Sequence, residues 1–201
     1  MAAIAPVPAH QGLLLTVLQQ LRELSGGGIV VAITSSNSGE GVTHCVRSLI
    51  TELSRDSMTR ILHIDAQRLR ELEVLPPDFS AVCMATDVRG VSVLDPARVS
   101  TGGNPGNLWD GNWQYRKACI EQMRKAFDYV VIDCPAIQES GEALVLAPVV
   151  DGVILVVEAD KTRKDQIQRA EKSIEFARGK IIGHILNKRA YVVPDWVYRR
   201  L

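Results

Sequence analysis

The residues best suited to chemistry lie in a loop between a predicted strand and a predicted helix. The β-branched residues of segment 29–33 predict a buried strand, and residues 35–41, which follow, read SSNSGEG. A helix-like apolar stripe begins directly after this loop, at Val42. Such an arrangement favours anion binding, because backbone N–H groups converge in the loop and the helix dipole adds positive potential.

The loop has the layout of a phosphate-binding loop, but its main cation is missing. Such loops carry a Lys directly before a Ser or Thr, and its ammonium group reaches the β- and γ-phosphates. Here that position is Val42, while Thr43 keeps a hydroxyl for magnesium. Phosphoryl transfer depends on neutralising charge at the transferring group. We therefore expect a loss in rate on the order of 10²–10³, although the loop amides could still bind ADP or ATP weakly.

Two aspartates stand at the ends of predicted strands. Asp65 follows the apolar segment 60–64, and Asp133 follows the apolar segment 129–132. Ligands of parallel sheets bind outside the carboxyl ends of the strands, so we expect both aspartates at the same site. The alternative is that each one caps the helix that follows it, and we favour the site.

Strand-like and helix-like segments alternate along most of the chain. Further strand-like runs lie at 91–94, 153–157 and 181–186, and helix-like segments at 13–24, 42–55, 67–75, 113–127, 140–146 and 166–177. This alternation predicts an α/β fold with a mostly parallel sheet and helices on both faces. We expect residues 1–28 to form a tail and a short helix, residues 29–201 to form one domain, and residues 100–112 to form a loop.

Composition narrows the function classes. Of 201 residues, 46% are hydrophobic, and 23 basic residues balance 23 acidic ones, so nothing favours binding to nucleic acid. The four cysteines are widely spaced and show no zinc-site spacing, as expected of a reduced, cytoplasmic protein. No apolar run is long enough to span a bilayer. We therefore expect any location at the inner membrane to depend on a partner.

Three segments, in their order along the chain, carry a resemblance to a known family. They are SSNSGEGVTH (35–44), ILHIDAQRLR (61–70) and FDYVVIDCPA (127–136). They resemble the Walker A, Walker A′ and Walker B segments of the bacterial tyrosine kinases, P-loop autokinases that control capsule and exopolysaccharide export. Residues 140–165 and 185–201 are similar to the same family, so the resemblance extends from about residue 29 to the C-terminus.

The resemblance implies a P-loop NTPase-type fold, ATP or ADP with Mg²⁺ as ligand, and a set of site residues. The nucleotide-binding positions it implies are Ser38, Gly39, Glu40, Gly41, Val42, Thr43 and His44 of the loop, with Asn187 at the adenine. It implies that Thr43, Asp65 and Asp133 hold magnesium and that both aspartates act in catalysis. Departures from the family pattern are Ser38 for Pro, Val42 for Lys, His44 for Thr, and Gln67 for the second Asp of a D-x-D segment.

These departures favour a degenerate member, a pseudokinase, over an enzyme. We expect a regulatory or scaffolding role in exopolysaccharide or capsule assembly, with weak or absent nucleotide binding. The resemblance implies a membrane-embedded chain-length regulator as partner and allows a homo-oligomer. Only Tyr191 and Tyr198 lie near the C-terminus, so the family's usual tyrosine cluster is lacking.

Two alternatives remain at the level of sequence. The first is an active ATP-dependent tyrosine autokinase or ATPase that uses an unusual cation. Lys161, Arg163 or Lys164 could supply that cation, although a solvated basic turn is the simpler interpretation. The second is a partition-type positioning protein switched by nucleotide. It is disfavoured because neither a basic DNA-binding face nor an amphipathic membrane helix is evident.

Overall fold

The computed structural model describes residues 9–56, 58–72, 75, 76, 78–99 and 112–189. The predictions for residues 1–8, for most of the 100–112 loop, and for Tyr191 and Tyr198 lie outside these residues. The strands are β1 (Ile29–Ser35), β2 (Ile61–Asp65), β3 (Cys83–Ala85), β4 (Val91–Leu94), β5 (Tyr129–Asp133), β6 (Gly152–Glu158) and β7 (Ile181–Asn187).

The helices occupy the segments between the strands. They are α1 (Ala9–Ser25), α2 (Val42–Leu53), α3 (Ala66–Arg70), α4 (Pro96–Val99), α5 (Trp113–Ala126), α6 (Glu142–Leu146) and α7 (Lys164–Phe176), with a 3₁₀ turn at Phe79–Val82. Over the described part of the chain, no helix is both long and apolar enough to cross a membrane.

The seven strands of the described chain form one sheet in the order β3-β4-β2-β5-β1-β6-β7. All neighbouring strands are parallel except β3 and β4, which are antiparallel. Alternate residues of β1 point to opposite faces: Val30 and Ala32 pack with α5, α6 and α7, whereas Val31 and Ile33 pack with α1 and α2. The predicted α/β fold with helices on both faces is confirmed.

Several elements differ from the sequence prediction, and helix α4 and the 3₁₀ turn at Phe79–Val82 were not predicted at all. Helix α1 begins at Ala9, inside the segment that was expected to be a tail. Helix α3 ends at Arg70 rather than near residue 75, because a tight turn closes it and Leu72 then enters the core. Strand β3 was not predicted, since three residues are too few to show an alternating pattern.

The parallel arrangement brings the carboxyl ends of six of the seven described strands to one edge of the sheet. Asp65 of β2 lies directly opposite Asp133 of β5, and Ile33 of β1 lies opposite Asp133 on the other side. Glu158 of β6 lies opposite Asn187 of β7. The loop between β1 and α2 starts at the same edge, as the sequence predicted.

Candidate functional site

The backbone of the β1–α2 loop requires glycine at two points. Gly39 has φ 78° and Gly41 has φ 92°, both in the left-handed region that glycine adopts without strain. Gly41 is also the residue that precedes helix α2. A Cβ atom on Gly41 would lie 2.3 Å from Nδ2 of Asn187. The loop therefore keeps its shape only while this position has no side chain.

A cavity of about 320 Å³ opens between the loop and the ends of β2 and β5. Its lining includes seven predicted site residues, Ser38, Gly39, Gly41, Val42, Thr43, Asp65 and Asp133, together with Ser35, Gln67, Cys134, Pro135, Ala136 and Glu139. In the described structure, the backbone N–H groups of Gly39, Gly41 and Val42 have no protein acceptor. Unpaired amides at a helix start favour an anion in this cavity.

The acidic side of the cavity carries the predicted metal residues. The Thr43 side chain is hydrogen-bonded to the Asp133 carboxylate. Asp65 also caps helix α3, because its Oδ1 accepts a hydrogen bond from the Gln67 N–H at 2.7 Å. The capping role considered from sequence is therefore present, and the same aspartate still lines the cavity.

These oxygens suit magnesium. Mg²⁺ is usually held by one or two carboxylates together with water and phosphate oxygens, and Thr43, Asp65 and Asp133 supply such a set beside the anion loop. Among the described residues, no three His, Cys, Asp or Glu side chains are grouped so that they could hold a metal ion by themselves. Magnesium binding by Thr43, Asp65 and Asp133 therefore stays a prediction, in which water and phosphate oxygens would complete the coordination.

Burial and nearby charges shift the pKa values of Asp133 and His63 at this site. Burial raises the pKa of Asp133 above its ordinary value, and Asp65 adds to this, although the hydrogen bond from Thr43 opposes it. Burial also lowers the pKa of His63, and its Nε2 atom is buried without a partner. Arg47, one turn after Thr43 on α2, adds a positive field that acts on both Asp133 and His63.

Val42 provides no charge to the site. Its side chain is partly buried and packs against the apolar cluster beneath α1 and α2, so it extends the apolar stripe of its helix. It also lines the cavity. The position where a phosphate-binding loop carries its ammonium group is therefore occupied here by hydrocarbon.

The carboxylate of Glu40 serves the loop itself. Glu40 is 2% exposed, and its oxygens accept hydrogen bonds from the Ser36 N–H at 3.0 Å and the Asn37 Nδ2 at 2.8 Å. The Thr162 hydroxyl donates a third hydrogen bond to it. In addition, Gln166 Nε2 donates to Asn37 Oδ1 at 3.1 Å. The loop is thus tied to the start of α7, and Glu40 could reach a ligand only through its backbone.

Two other predicted residues lie outside the cavity lining. His44 is exposed in the first turn of α2. Asn187 donates from Nδ2 to the Glu40 carbonyl oxygen at 2.9 Å, so its amide group is engaged with the loop. Ligand contacts of these two side chains stay predictions.

The structure brings in residues that the sequence did not single out. Lys188 Nζ donates to the Gly39 carbonyl oxygen at 2.5 Å and pairs with Glu158 Oε2 at 3.2 Å. Glu139 lines the 320 Å³ cavity beside the loop. The one signal for Lys188 in the sequence is its place directly after the polar end of β7.

The cations proposed from sequence lie on the outer side of the loop. Lys161 and Arg163 line a second cavity of about 290 Å³, together with Asn37, Ser38, Glu40, Glu158, Thr162 and Gln166. Lys161 neutralises Glu158 there. Lys164 begins helix α7 and is exposed.

No family model matches the chain, but characterised relatives do. Tyrosine-protein kinase CpsD of Streptococcus agalactiae is 28% identical over an alignment of 178 positions, which covers 79% of this chain and 75% of CpsD. Tyrosine-protein kinase YwqD of Bacillus subtilis strain 168 is 29% identical over an alignment of 175 positions, which covers 78% of this chain and 71% of YwqD. These relatives support the predicted resemblance to the bacterial tyrosine kinase family.

A third relative is much longer than this chain. The succinoglycan biosynthesis transport protein ExoP of Rhizobium meliloti strain 1021 is 39% identical over 69 residues. These residues are 34% of this chain and 9% of ExoP. Together the relatives support a relation to capsule and exopolysaccharide systems.

Solved structures agree on the fold of this chain. The BceF tyrosine kinase domain has a TM-score of 0.69 at 20% identity, over 88% of this chain and 74% of that one. The chimerical protein CapA2B2 has a TM-score of 0.70 at 15% identity, over 93% and 87%. MinD from Pyrococcus horikoshii with Mg-ADP has a TM-score of 0.58 at 16% identity, over 86% and 76%. The P-loop NTPase-type fold is confirmed.

Proposed function

We propose that this chain is a regulatory or scaffolding component of a capsule or exopolysaccharide system and binds nucleotide weakly or not at all. The observation that carries this proposal is the packing of Val42 against the apolar cluster beneath α1 and α2. The cavity keeps unpaired amides and two aspartates, but the residue expected to contact the β- and γ-phosphates is apolar.

A second departure lies on the opposite wall of the cavity. Gln67 stands where the family pattern has the second Asp of its Walker A′ segment, and it lines the cavity close to Asp65. A neutral amide binds Mg²⁺ less strongly than a carboxylate and cannot accept a proton from an attacking hydroxyl. Two losses within one site therefore argue against efficient phosphoryl transfer, since this chemistry depends on charge neutralisation and positioning.

The partner in this proposal is a membrane-embedded chain-length regulator. Its cytosolic part would bind this chain and hold it, as a cytoplasmic protein, at the inner membrane. The alignment with ExoP supports the idea, because ExoP is a transport protein in which the matching stretch is only 9% of the length. A homo-oligomer is compatible with this proposal.

A second candidate function is an active ATP-dependent autokinase or ATPase. The hydrogen bond between Thr43 and Asp133, with Asp65 in direct register, is the observation in its favour. These residues supply one hydroxyl and two carboxylates that suit Mg²⁺. An enzyme would then need a cation from outside the loop sequence.

Activity assays on purified protein separate the two candidates. We expect the native chain to release no more ADP from Mg-ATP, and to gain no more phosphotyrosine, than an Asp133→Asn variant. A Val42→Lys/Gln67→Asp variant should gain turnover on the order of 10²–10³ over the native chain. Native turnover that Asp133→Asn abolishes would instead establish the enzyme and overturn the scaffolding proposal.

A further inference from the structure

Lys188 has an unusual backbone conformation directly after the last strand. Its φ is 56°, in the left-handed region that residues with side chains rarely occupy. Such conformations persist where surrounding contacts fix them. Here Nζ of Lys188 contacts the Gly39 carbonyl oxygen at 2.5 Å and the Glu158 carboxylate at 3.2 Å. The strained residue therefore carries its ammonium group onto the anion loop.

Lys188 and its neighbour act on consecutive peptide groups of the loop. Lys188 donates to the carbonyl of Gly39, and Asn187 donates to the carbonyl of Glu40 at 2.9 Å. These carbonyls belong to the peptides whose N–H groups are those of Glu40 and Gly41. A donor at a peptide carbonyl polarises that peptide and strengthens its N–H as a donor. The two contacts on the outside of the loop thus strengthen the N–H groups of Glu40 and Gly41 as hydrogen-bond donors near the cavity.

We propose that Lys188 replaces the absent loop lysine as the cation that holds the phosphate-binding loop in its anion-accepting shape. Lys188 contacts the carbonyl side of the loop, whereas an in-loop lysine would extend toward the ligand itself. The inference rests on the proposed nucleotide site. It assigns the positioning of the loop to Lys188, the residue directly after β7. Lys188 is a positioning residue, since it acts through the Gly39–Glu40 peptide.

Glu158 explains why Lys188 stays in place. Its side chain is 13% exposed, while that of Lys188 is 44% exposed. Desolvation raises the pKa of Glu158, but hydrogen bonds from Lys188 and Lys161 outweigh it and hold the pKa below its ordinary value. The carboxylate therefore stays charged at neutral pH and fixes the ammonium group of Lys188 beside Gly39.

Lys161 is a matched control for Lys188. Both ammonium groups lie 3.2 Å from the same oxygen of Glu158. Lys161 is 71% exposed, and the contacts shown for its side chain in the described structure do not include the loop backbone. Substituting either lysine removes one charge at Glu158, but only Lys188→Met removes a hydrogen bond to the loop.

The test measures backbone order in the loop by NMR, without any ligand. We expect order parameters of Gly39, Glu40 and Gly41 near the rigid value of about 0.85 in the native chain, and below about 0.6 in Lys188→Met. The Gly39 carbonyl carbon shift should move in the same variant. Lys161→Met should resemble the native chain, and Lys188→Arg should retain rigidity. The proposal would be overturned if the order parameters of the loop were the same in the native chain and in Lys188→Met. It would also be overturned if Lys161→Met lowered them as much as Lys188→Met.

A second arm uses inorganic pyrophosphate as the probe. Where the native chain binds it, Lys188→Met should weaken binding about tenfold and Lys161→Met by much less, since a charge-assisted hydrogen bond is lost only in the former. Equal weakening in both variants would contradict the proposal. A native chain that binds no pyrophosphate would count against the nucleotide site alone, because the ligand-free order parameters still decide the role of Lys188.

Discussion

Asp65 and Asp133 are direct neighbours on the parallel strands β2 and β5, at the edge where the anion loop begins. Two carboxylates in register repel each other, because each disfavours the charged form of the other. For Asp133, burial is the larger cause of the raised pKa and Asp65 adds to it. A cation between them would relieve this repulsion, which is what a retained magnesium site would provide.

The first prediction concerns the stability cost of Asp133. Because its folded-state pKa is raised, the charged carboxylate destabilises the fold at neutral pH, and the penalty disappears below its ordinary pKa of 3.8. Asp133→Asn keeps an acceptor for Thr43 and removes the charge. We expect its free energy of unfolding at pH 7 to rise by about 0.5–1 kcal/mol, measured by urea denaturation.

Asp128 provides the control for that experiment. Its carboxylate accepts hydrogen bonds from the Arg22 guanidinium and the Arg60 N–H, both at 2.8 Å. Asp128→Asn should therefore lower the free energy of unfolding by about 1 kcal/mol. If Asp133→Asn lowered the free energy of unfolding as Asp128→Asn does, the prediction would be wrong. Repulsion between Asp65 and Asp133 would then not destabilise the fold.

The second prediction is a pH dependence that originates at Glu158. Its pKa is lowered in the folded state from an ordinary value of 4.5. Its ion pairs therefore add stability above pH 4.5, and this contribution is lost as the pH falls through the lowered pKa. Thermal melting between pH 6 and 3 should show a steeper loss in the native chain than in Glu158→Gln. Glu175→Gln, exposed on α7, should follow the native curve, and parallel curves for all three chains would refute the assignment.

The third prediction is that replacing two different glycines with alanine changes the free energy of unfolding in opposite directions. Gly41→Ala would place a Cβ 2.3 Å from Asn187 Nδ2 at a φ of 92°. We expect a loss of about 1–3 kcal/mol in the free energy of unfolding. Gly12 lies in α1 with open space around it, so Gly12→Ala should stabilise the chain by up to about 1 kcal/mol. A tolerated Gly41→Ala would mean that Asn187 does not pack closely on the loop.

Sequence patterns predicted correctly those features that a single short segment of the chain determines. Apolar runs that end in Asp65 and Asp133 placed both residues at one edge, because parallel strands share the direction of their carboxyl ends. The glycines of the loop were informative for the same local reason, since positive φ angles at Gly39 and Gly41 require that residue type. The fold class followed from the alternation of such segments.

Contacts between distant segments could not be predicted in this way. Lys188 and Gly39 are 149 residues apart in the chain, and their contact depends on a left-handed residue after β7. Glu40 and Thr162 are 122 residues apart, so the buried role of the Glu40 carboxylate has no local signature. Strand β3 pairs antiparallel at the edge of the sheet and is too short to show periodicity.

The central claim is that this chain keeps the backbone of an anion site and lacks its cation at Val42. Calorimetric titration with ATP and ADP, with and without Mg²⁺, tests it most directly when the native chain and Val42→Lys are compared. We predict weak or undetectable binding by the native chain and a gain of at least about tenfold in Val42→Lys, from a restored charge-assisted contact. Magnesium-dependent micromolar binding by the native chain, unchanged by Val42→Lys, would contradict the account.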